Sequence, residues 1–359
     1  MAEKPADRLH AGEAWDAFCD KLKDTGRAVL DAAPDDEFDR AEGLRYLSRL
    51  TRNFMRATLE DADPARARLS TESPKIGLDN PDYVYAGARL SGNFQYELRG
   101  RLGDAHMLGI GAFSGGLGTK AGLIRDGYIT SDQLEFEADG SFVVALSQEE
   151  QPKNWLPMKA ETNSLNVRQT LLRRREQTPA TLELVRVDQG ASPQPLDPAR
   201  FAAGLERVGL IVDATVRQFL TWTAHFQSHA FEVREIDPKF LKVAQGDPNT
   251  RYFYSYFEID EDEAFVVEFK PPPCDYWNLQ IGNHWLESLD YEHATTHVNH
   301  ETAVQRPDGS VRVVIASRDP RSENWLDTMG HRRGALALRW VGADEVPETT
   351  SRVVSIDSL

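Results

Sequence analysis

Apolar and polar positions alternate along much of this chain at the period of a half-buried strand. Phe94, Tyr96 and Leu98 alternate with Gln95, Glu97 and Arg99, and Val311, Val313 and Ile315 flank Arg312 in the same way. Asp139-Gly140 and Asp308-Gly309 each precede an apolar run, Phe142–Leu146 and Val311–Ile315, which is a hairpin signal. Two stretches change to helical spacing. Leu44, Leu47, Thr51 and Phe54 form one face, and Phe201, Leu205, Val208, Val212, Val216 and Leu220 form a longer one. Asp197-Pro198 suits a cap followed by proline in the first turn of that second helix. The segment from Gln189 to Pro195 has the composition of a linker.

These landmarks recur at a nearly constant spacing, which predicts an internal duplication. Asp139-Gly140 returns as Asp308-Gly309. Asn154-Trp155-Leu156 returns as Asn324-Trp325-Leu326. Asn80-Pro81-Asp82-Tyr83 resembles Asp247-Pro248-Asn249-Thr250 with the following Arg251-Tyr252. Met107–Ile110 matches Trp277–Ile281 more weakly. The expected fold class is α+β, mainly β: two tandem β-sandwich-like units, each preceded by helices. The expected divisions are a helical arm over 1–70, a first β unit over 71–190, a linker and helix over 191–245, and a second β unit over 246–359. Two related units can pack about a pseudo-two-fold axis, and a cleft between them is a natural binding place.

The second copy's Tyr276-Trp277-Asn278-Leu279, Asp308-Gly309-Ser310 and Asn324-Trp325-Leu326 resemble the bacterial family called domain of unknown function 1214 (DUF1214). The first copy carries the fuller Asn154-Trp155-Leu156-Pro157, and the second has Asp327 where proline is expected. The resemblance spans most of residues 75 to 345 and implies a β-sandwich-like fold with attached helices. It implies no activity.

A chain of 359 residues with a formal charge of −16 has room for two or three domains and disfavours nucleic acid, whose phosphates demand a basic face. The dense basic run Arg173-Arg174-Arg175, beside Arg168, is a solvated element end or an anion site. No apolar run approaches the ~18 residues of a membrane helix. The Met1–Arg8 stretch lacks the apolar core of a secretory signal, so the cytoplasm is expected. Cys19 and Cys274 cannot form a disulfide framework and are expected to be plain thiols.

A duplicated chain contains its own control. Features of both copies are expected to serve folding, so Asn154-Trp155 and Asn324-Trp325 are assigned to structure, with a Trp filling the core and an Asn pairing with backbone. Glu149 and Asp319 correspond as turn or cap groups. Features of one copy become candidate site residues. Five of nine histidines lie in the second copy, namely His284, His293, His297, His300 and His331, against His106 in the first β unit. Imidazole trades protons or binds metal near neutral pH. If 293–300 is a strand, His293, Thr295, His297 and Asn299 share a face and His300 points the other way.

The expected function is therefore an enzyme on a small molecule, hydrolase or lyase, with His284, His297 and His331 moving protons and Asp290 and Asp327 orienting them. Trp285, Tyr291, Asn283 and Asn299 would contact the substrate. The alternative is a non-catalytic carbohydrate- or protein-binding sandwich using exposed Trp222, Trp285 or Tyr254. No organic cofactor is expected. A divalent metal and a homo-oligomer stay open. The glycine-rich stretch Gly109–Gly118 lacks the Lys-Ser/Thr of a phosphate loop and reads as a loop, or as a lid approaching ligand.

Overall fold

The computed structural model describes residues 5–117, 119, 121–188, 195–237, 240 and 246–359. Most of the predicted linker (189–194) and Gly118 of the glycine-rich stretch lie outside the described residues.

Three helices open the chain: α1 (Pro5–His10), α2 (Glu13–Ala32) and α3 (Glu37–Met55). Asp36 caps α3, its carboxylate accepting from the amides of Phe38 and Asp39. The face α3 buries is Asp39, Gly43, Tyr46 and Leu50, about one residue off the expected stripe, and Leu44 is exposed. The expected face assumed that every apolar residue points inward. Burial of the small Gly43 instead lets α3 approach Trp285 closely.

The first copy then contributes β1 (Tyr83–Arg89), β2 (Tyr96–Arg101), β3 (Met107–Gly115), β4 (Leu123–Thr130), β5 (Ser141–Ser147), β6 (Trp155–Pro157), β7 (Ser164–Thr170) and β8 (Thr181–Arg186). Helix α4 (Pro198–Gln227) follows, with the Asp197 carboxylate accepting from the amides of Ala199 and Arg200, as its sequence predicts. A short edge strand, β9 (Arg234–Glu235), leads into the second copy: β10 (Thr250–Glu258), β11 (Glu263–Phe269), β12 (Tyr276–Gly282), β13 (His297–Asn299), β14 (Val311–Ala316), β15 (Trp325–Asp327), β16 (Arg333–Val341) and β17 (Thr349–Ser355).

The duplication holds strand by strand. The first copy has sheets ordered β1-β7-β3-β4 and β6-β5-β2-β8, and the second has β10-β16-β12-β13 and β15-β14-β11-β17, with β9 added at the edge of the former. Even the parallel pairs β5/β6 and β14/β15 match. Each copy buries its own core between its two sheets. Leu98, Ile110, Phe142 and Val167 lie in the first core, and Phe265, Leu279, Val313 and Leu338 in the second.

The repeated motifs do the same work in both copies. Gly140 and Gly309 take positive φ in the hairpin turns, and Asp139 and Asp308 each accept from the amide and hydroxyl of the serine two residues on. Asn154 and Asn324 adopt left-handed backbone. Each side-chain amide pairs both ways with a neighbouring loop, at Glu135 and Val304 respectively. The Trp155 and Trp325 indoles donate to the carbonyls of Ser147 and Ala316. The residues that fill the cores at this motif are Leu156 and Leu326, fully buried, while both tryptophans are only half-buried. Their indole N–H must reach a carbonyl at the sandwich edge, which keeps the ring out of the centre.

One β-strand face of each copy is left for other partners. Helix α4 covers that of the second copy with Phe219, Trp222 and Phe226, packed on Tyr254, Tyr256 and Ala337. The opening helices join α4 in one helical layer, through Phe18 against Val208 and Val212. No helix of the described residues is long and apolar enough to cross a membrane.

Candidate functional site

The residues singled out in the second copy separate into three groups. The first belongs to the turn after β12. The Asn283 side-chain oxygen Oδ1 accepts from the amides of Trp285 and Glu287. Trp285 is buried and donates to the Asp39 carbonyl at 2.9 Å. Buried Glu287 meets Arg49 at 2.7 Å. Burial raises the Glu287 carboxyl above its ordinary value, and Arg49 and Asn283 oppose that rise. Buried His284 sits between Tyr256, whose hydroxyl meets Nδ1 at 2.7 Å, and Thr223, which donates to the His284 carbonyl. Burial pushes the His284 imidazole down to about 4, against the Ala32 carbonyl, which favours its proton. These residues clamp the turn onto the helical layer.

A pH dependence follows. Unfolded His284 takes up a proton near ~6.5, whereas the folded imidazole does so only at about 4. The stability this residue confers is present above the unfolded value and falls as pH drops from ~6.5 towards 4. NMR of the imidazole in the folded protein should show a midpoint near 4; titration near the ordinary histidine value would refute the buried placement.

The second group joins the copies. His297 and Asn299 lie on one face of β13, as strand geometry predicts, and both reach the first copy's Asp82. His297 Nε2 lies 3.1 Å from Oδ1, Asn299 Nδ2 lies 2.9 Å from the same oxygen, and Tyr276 donates to Oδ2 at 2.6 Å. Asp82 is fully buried. The basic run closes the same seam. Arg173 pairs with Glu301, Arg174 with Glu292, and Arg175 donates to the Tyr291 carbonyl. Tyr291 itself is held between Lys75 and Arg174.

The third group is peripheral. Asp290 pairs with exposed His293, which lies outside the strand. Asp327 accepts from the Met329 amide in a local turn and has no bond to His331. The His331 Nδ1 meets the Thr328 carbonyl at 2.8 Å, and its ring packs edge-on against Phe38. The Asp327–His331 pairing expected from their spacing is therefore not made, because β15 ends in a tight turn that consumes the carboxylate. Among the described residues no three His, Cys, Asp or Glu side chains come together as a metal site. Cys19 and Cys274 are free thiols. Trp222, Trp285 and Tyr254 are all buried, so they form no open platform.

A cavity with a volume of about 250 Å³ lies elsewhere, between the copies and α4. Its polar wall comes from matching positions. Tyr85 stands opposite Arg168 across β1/β7, and Tyr252 stands opposite Arg339 across β10/β16. All four line the cavity. The third strand completes the match, with Gly109 opposite Arg168 and Asn278 opposite Arg339. The tyrosines are fixed identically: the Tyr85 hydroxyl accepts from the Asn80 amide and the Tyr252 hydroxyl from the Asp247 amide, each five residues upstream at 2.9 Å. Each hydroxyl keeps its own proton to donate. Burial raises Tyr85 and Tyr254 to about 12, against the lowering pull of Arg339, so both stay protonated at neutral pH.

Arg339 is buried yet forms no ion pair among the described residues. Its guanidinium donates to the Gln280 side chain at 2.5 Å and to the Leu78 carbonyl. Burial opposes its charge, but neighbouring tyrosines outweigh burial and its pKa rises; the same holds for Arg168, with Asp247 adding to the tyrosines. Ile76, Leu117, Leu123, Phe219 and Trp222 supply the apolar wall. The reciprocal seams beside the cavity repeat the pattern, since Tyr276 donates to Asp82 and Tyr128 of the first copy donates to Asp247 of the second.

The glycine-rich stretch belongs to this wall. Gly109–Gly115 is strand β3, not a loop. Its core face carries Leu108, Ile110 and Ala112, while a Cβ on Gly109 would collide with Tyr128 and one on Gly111 with Phe113. Among its described residues, Gly116 and Leu117 lie beyond the strand.

Comparison with known proteins matches this arrangement. The family model for DUF1214, described as a protein of unknown function, matches residues 117–172 and 256–345, one segment in each copy. The chain belongs to the DUF1214 family. A crystal structure of an uncharacterised protein from Burkholderia cenocepacia is 41% identical, covers 99% of this chain and 100% of its own, and superposes with a TM-score of 0.95. A protein from Vibrio parahaemolyticus shares the fold at 11% identity, covering 85% of this chain and 96% of its own with a TM-score of 0.50. A search of curated proteins finds no match. Within this DUF1214 chain, the cavity residues Arg339, Tyr85 and Tyr252 were not among the candidates the sequence offered, and Arg168 was named only as a neighbour of the basic run. The signal for the tyrosines was the third repeat landmark, Asn80-Pro81 and Asp247-Pro248, each followed by a tyrosine five positions after its first residue.

Proposed function

We propose that this protein binds a small organic anion with an apolar body in the cavity between its two copies. The observation that carries the reading is the convergence of Arg168 and Arg339, equivalent residues of the two copies, on one partly apolar cavity. Arg339 is buried with no ion pair among the described residues, and a buried cation without a carboxylate beside it is costly. A carboxylate ligand offsets that cost and matches the planar guanidinium fork. Tyr85 and Tyr252 add hydroxyl donors whose backbone partners hold them in place, and the apolar residues accept the body of the ligand.

Acid–base turnover by His284, His297 and His331 fits less well. His284 and His297 are consumed in contacts that hold the turn and the seam, and His331 lines an open hollow beside Arg318 and Glu261. The reading is of a binding site, with a small molecule as partner. The free thiols suit a reducing compartment such as the cytoplasm.

Calorimetric titration with a panel of aliphatic and aromatic carboxylates tests it. Binding should saturate at one site per chain, and Arg339→Gln and Arg168→Gln should each weaken it by about tenfold or more, the loss expected for a charge-assisted hydrogen bond. Near-UV circular dichroism of each variant checks that the fold survives. A panel without a binder, or variants that bind as the parent does, would overturn the reading.

A further inference from the structure

The wall that carries Arg168 continues past the inner cavity. Residues of β1 and β7 on this face alternate outward as Tyr85, Gly87 and Arg89, opposite Arg168, Asn166 and Ser164. Four strand residues separate Tyr85 from Arg89, a rise of ~13 Å. Two further hollows adjoin the inner one along this row. One, of about 210 Å³, shares Ser73, Tyr85 and Asn166 with it. The other, of about 460 Å³, shares Leu117, Leu123 and Ser164. Arg89 lines both outer hollows, and Arg207 of α4 lines the larger.

Arg89 and Arg207 stand close enough that Arg207, after burial itself, lowers the pKa of Arg89. Neither makes an ion pair or hydrogen bond among the described residues. The chain carries 57 acidic side chains against 41 basic ones, and other arginines in or against the helical layer do find carboxylates: Arg49 with Glu287, Arg217 with Asp213, Arg333 of β16 with Asp39. Two adjacent guanidinium groups without a counter-charge repel one another at a cost that an anion between them would remove. Between the two arginine pairs the floor is open and polar. Gly87 presents no side chain, and the Asn166 Oδ1 is buried without a partner.

We propose that the ligand is an elongated organic dianion, held at its inner end by Arg168 and Arg339 and at its outer end by Arg89 and Arg207. The proposal rests on the inner cavity being an anion site and adds the second anionic group and the length between them.

Titrating the full-length protein with octanedioate and decanedioate against octanoate and decanoate tests it. The diacids should bind about tenfold more tightly than the monoacids of equal length. The double variant Arg89→Gln/Arg207→Gln should remove that advantage and leave monoacid affinity unchanged. Monoacids and diacids binding alike, with no effect of the outer variant, would overturn the dianion and leave the inner site standing. No binding by either series would overturn both. Because Arg207 is exposed, the single variant Arg207→Glu keeps the test valid should the double variant misfold: it should weaken diacids selectively.

Discussion

Asp82→Leu should destabilise the protein by about 3–5 kcal/mol, the range for removing one partner from a buried charged network. The carboxylate is fully buried and accepts from Tyr276, His297 and Asn299, all of the second copy. Leucine resembles it in size but accepts nothing. Asn299 keeps its bond to the Leu172 carbonyl, whereas the Tyr276 hydroxyl keeps only the Asn80 side chain. Urea unfolding followed by fluorescence measures the loss. Asp82→Asn, which preserves an acceptor, should cost distinctly less. A leucine variant within ~0.5 kcal/mol of the parent, the ordinary surface-substitution range, would show that the seam does not depend on this residue.

Trp285→Ala should cost a similar amount, about 3–5 kcal/mol, the usual range for emptying a buried tryptophan site. The indole is 2% exposed, stacks on Tyr46 at 6.3 Å between centroids, and donates to Asp39. It ties the turn after β12 to α3, and the same contact is tested from the other side. A methyl on Gly43 would lie 2.4 Å from the indole and 2.8 Å from Val29. Gly43→Ala should therefore destabilise as an overpacked core does, and Trp285→Phe should partly relieve it in a double-mutant cycle. Additive effects of the two substitutions would mean that the helix and the turn do not press on one another.

Both predictions concern residues that had seemed candidates for chemistry or lay beside them. The one-sided enrichment in histidine is real, but the side chains it supplies serve three local purposes: a clamp on the helical layer, a seam between copies, and an exposed pair with Asp290. Treating features shared by both copies as purely structural also had a physical blind spot. When two equivalent sheets face a common space, a position each copy repeats appears twice in one cavity. Arg168 and Arg339 are equivalent positions of the two copies, and both line the one cavity on which the proposed binding site rests.

Local chemistry was legible from the residues alone. Alternation located strands, Asp-Gly located hairpins, Asp197-Pro198 located the start of α4, and the repeated Asn-Trp-Leu located the duplication, because each of these depends on neighbours within a few residues or on a pattern repeated along the chain. What the tertiary structure alone decided was the use of the faces left over. Gly43 on α3 and the arginines of β7 and β16 take their roles from surfaces brought together across some 80 to 240 positions of the chain. No local period encodes which of two exposed strand faces will meet its counterpart, so the cavity between the copies appears only once they are packed.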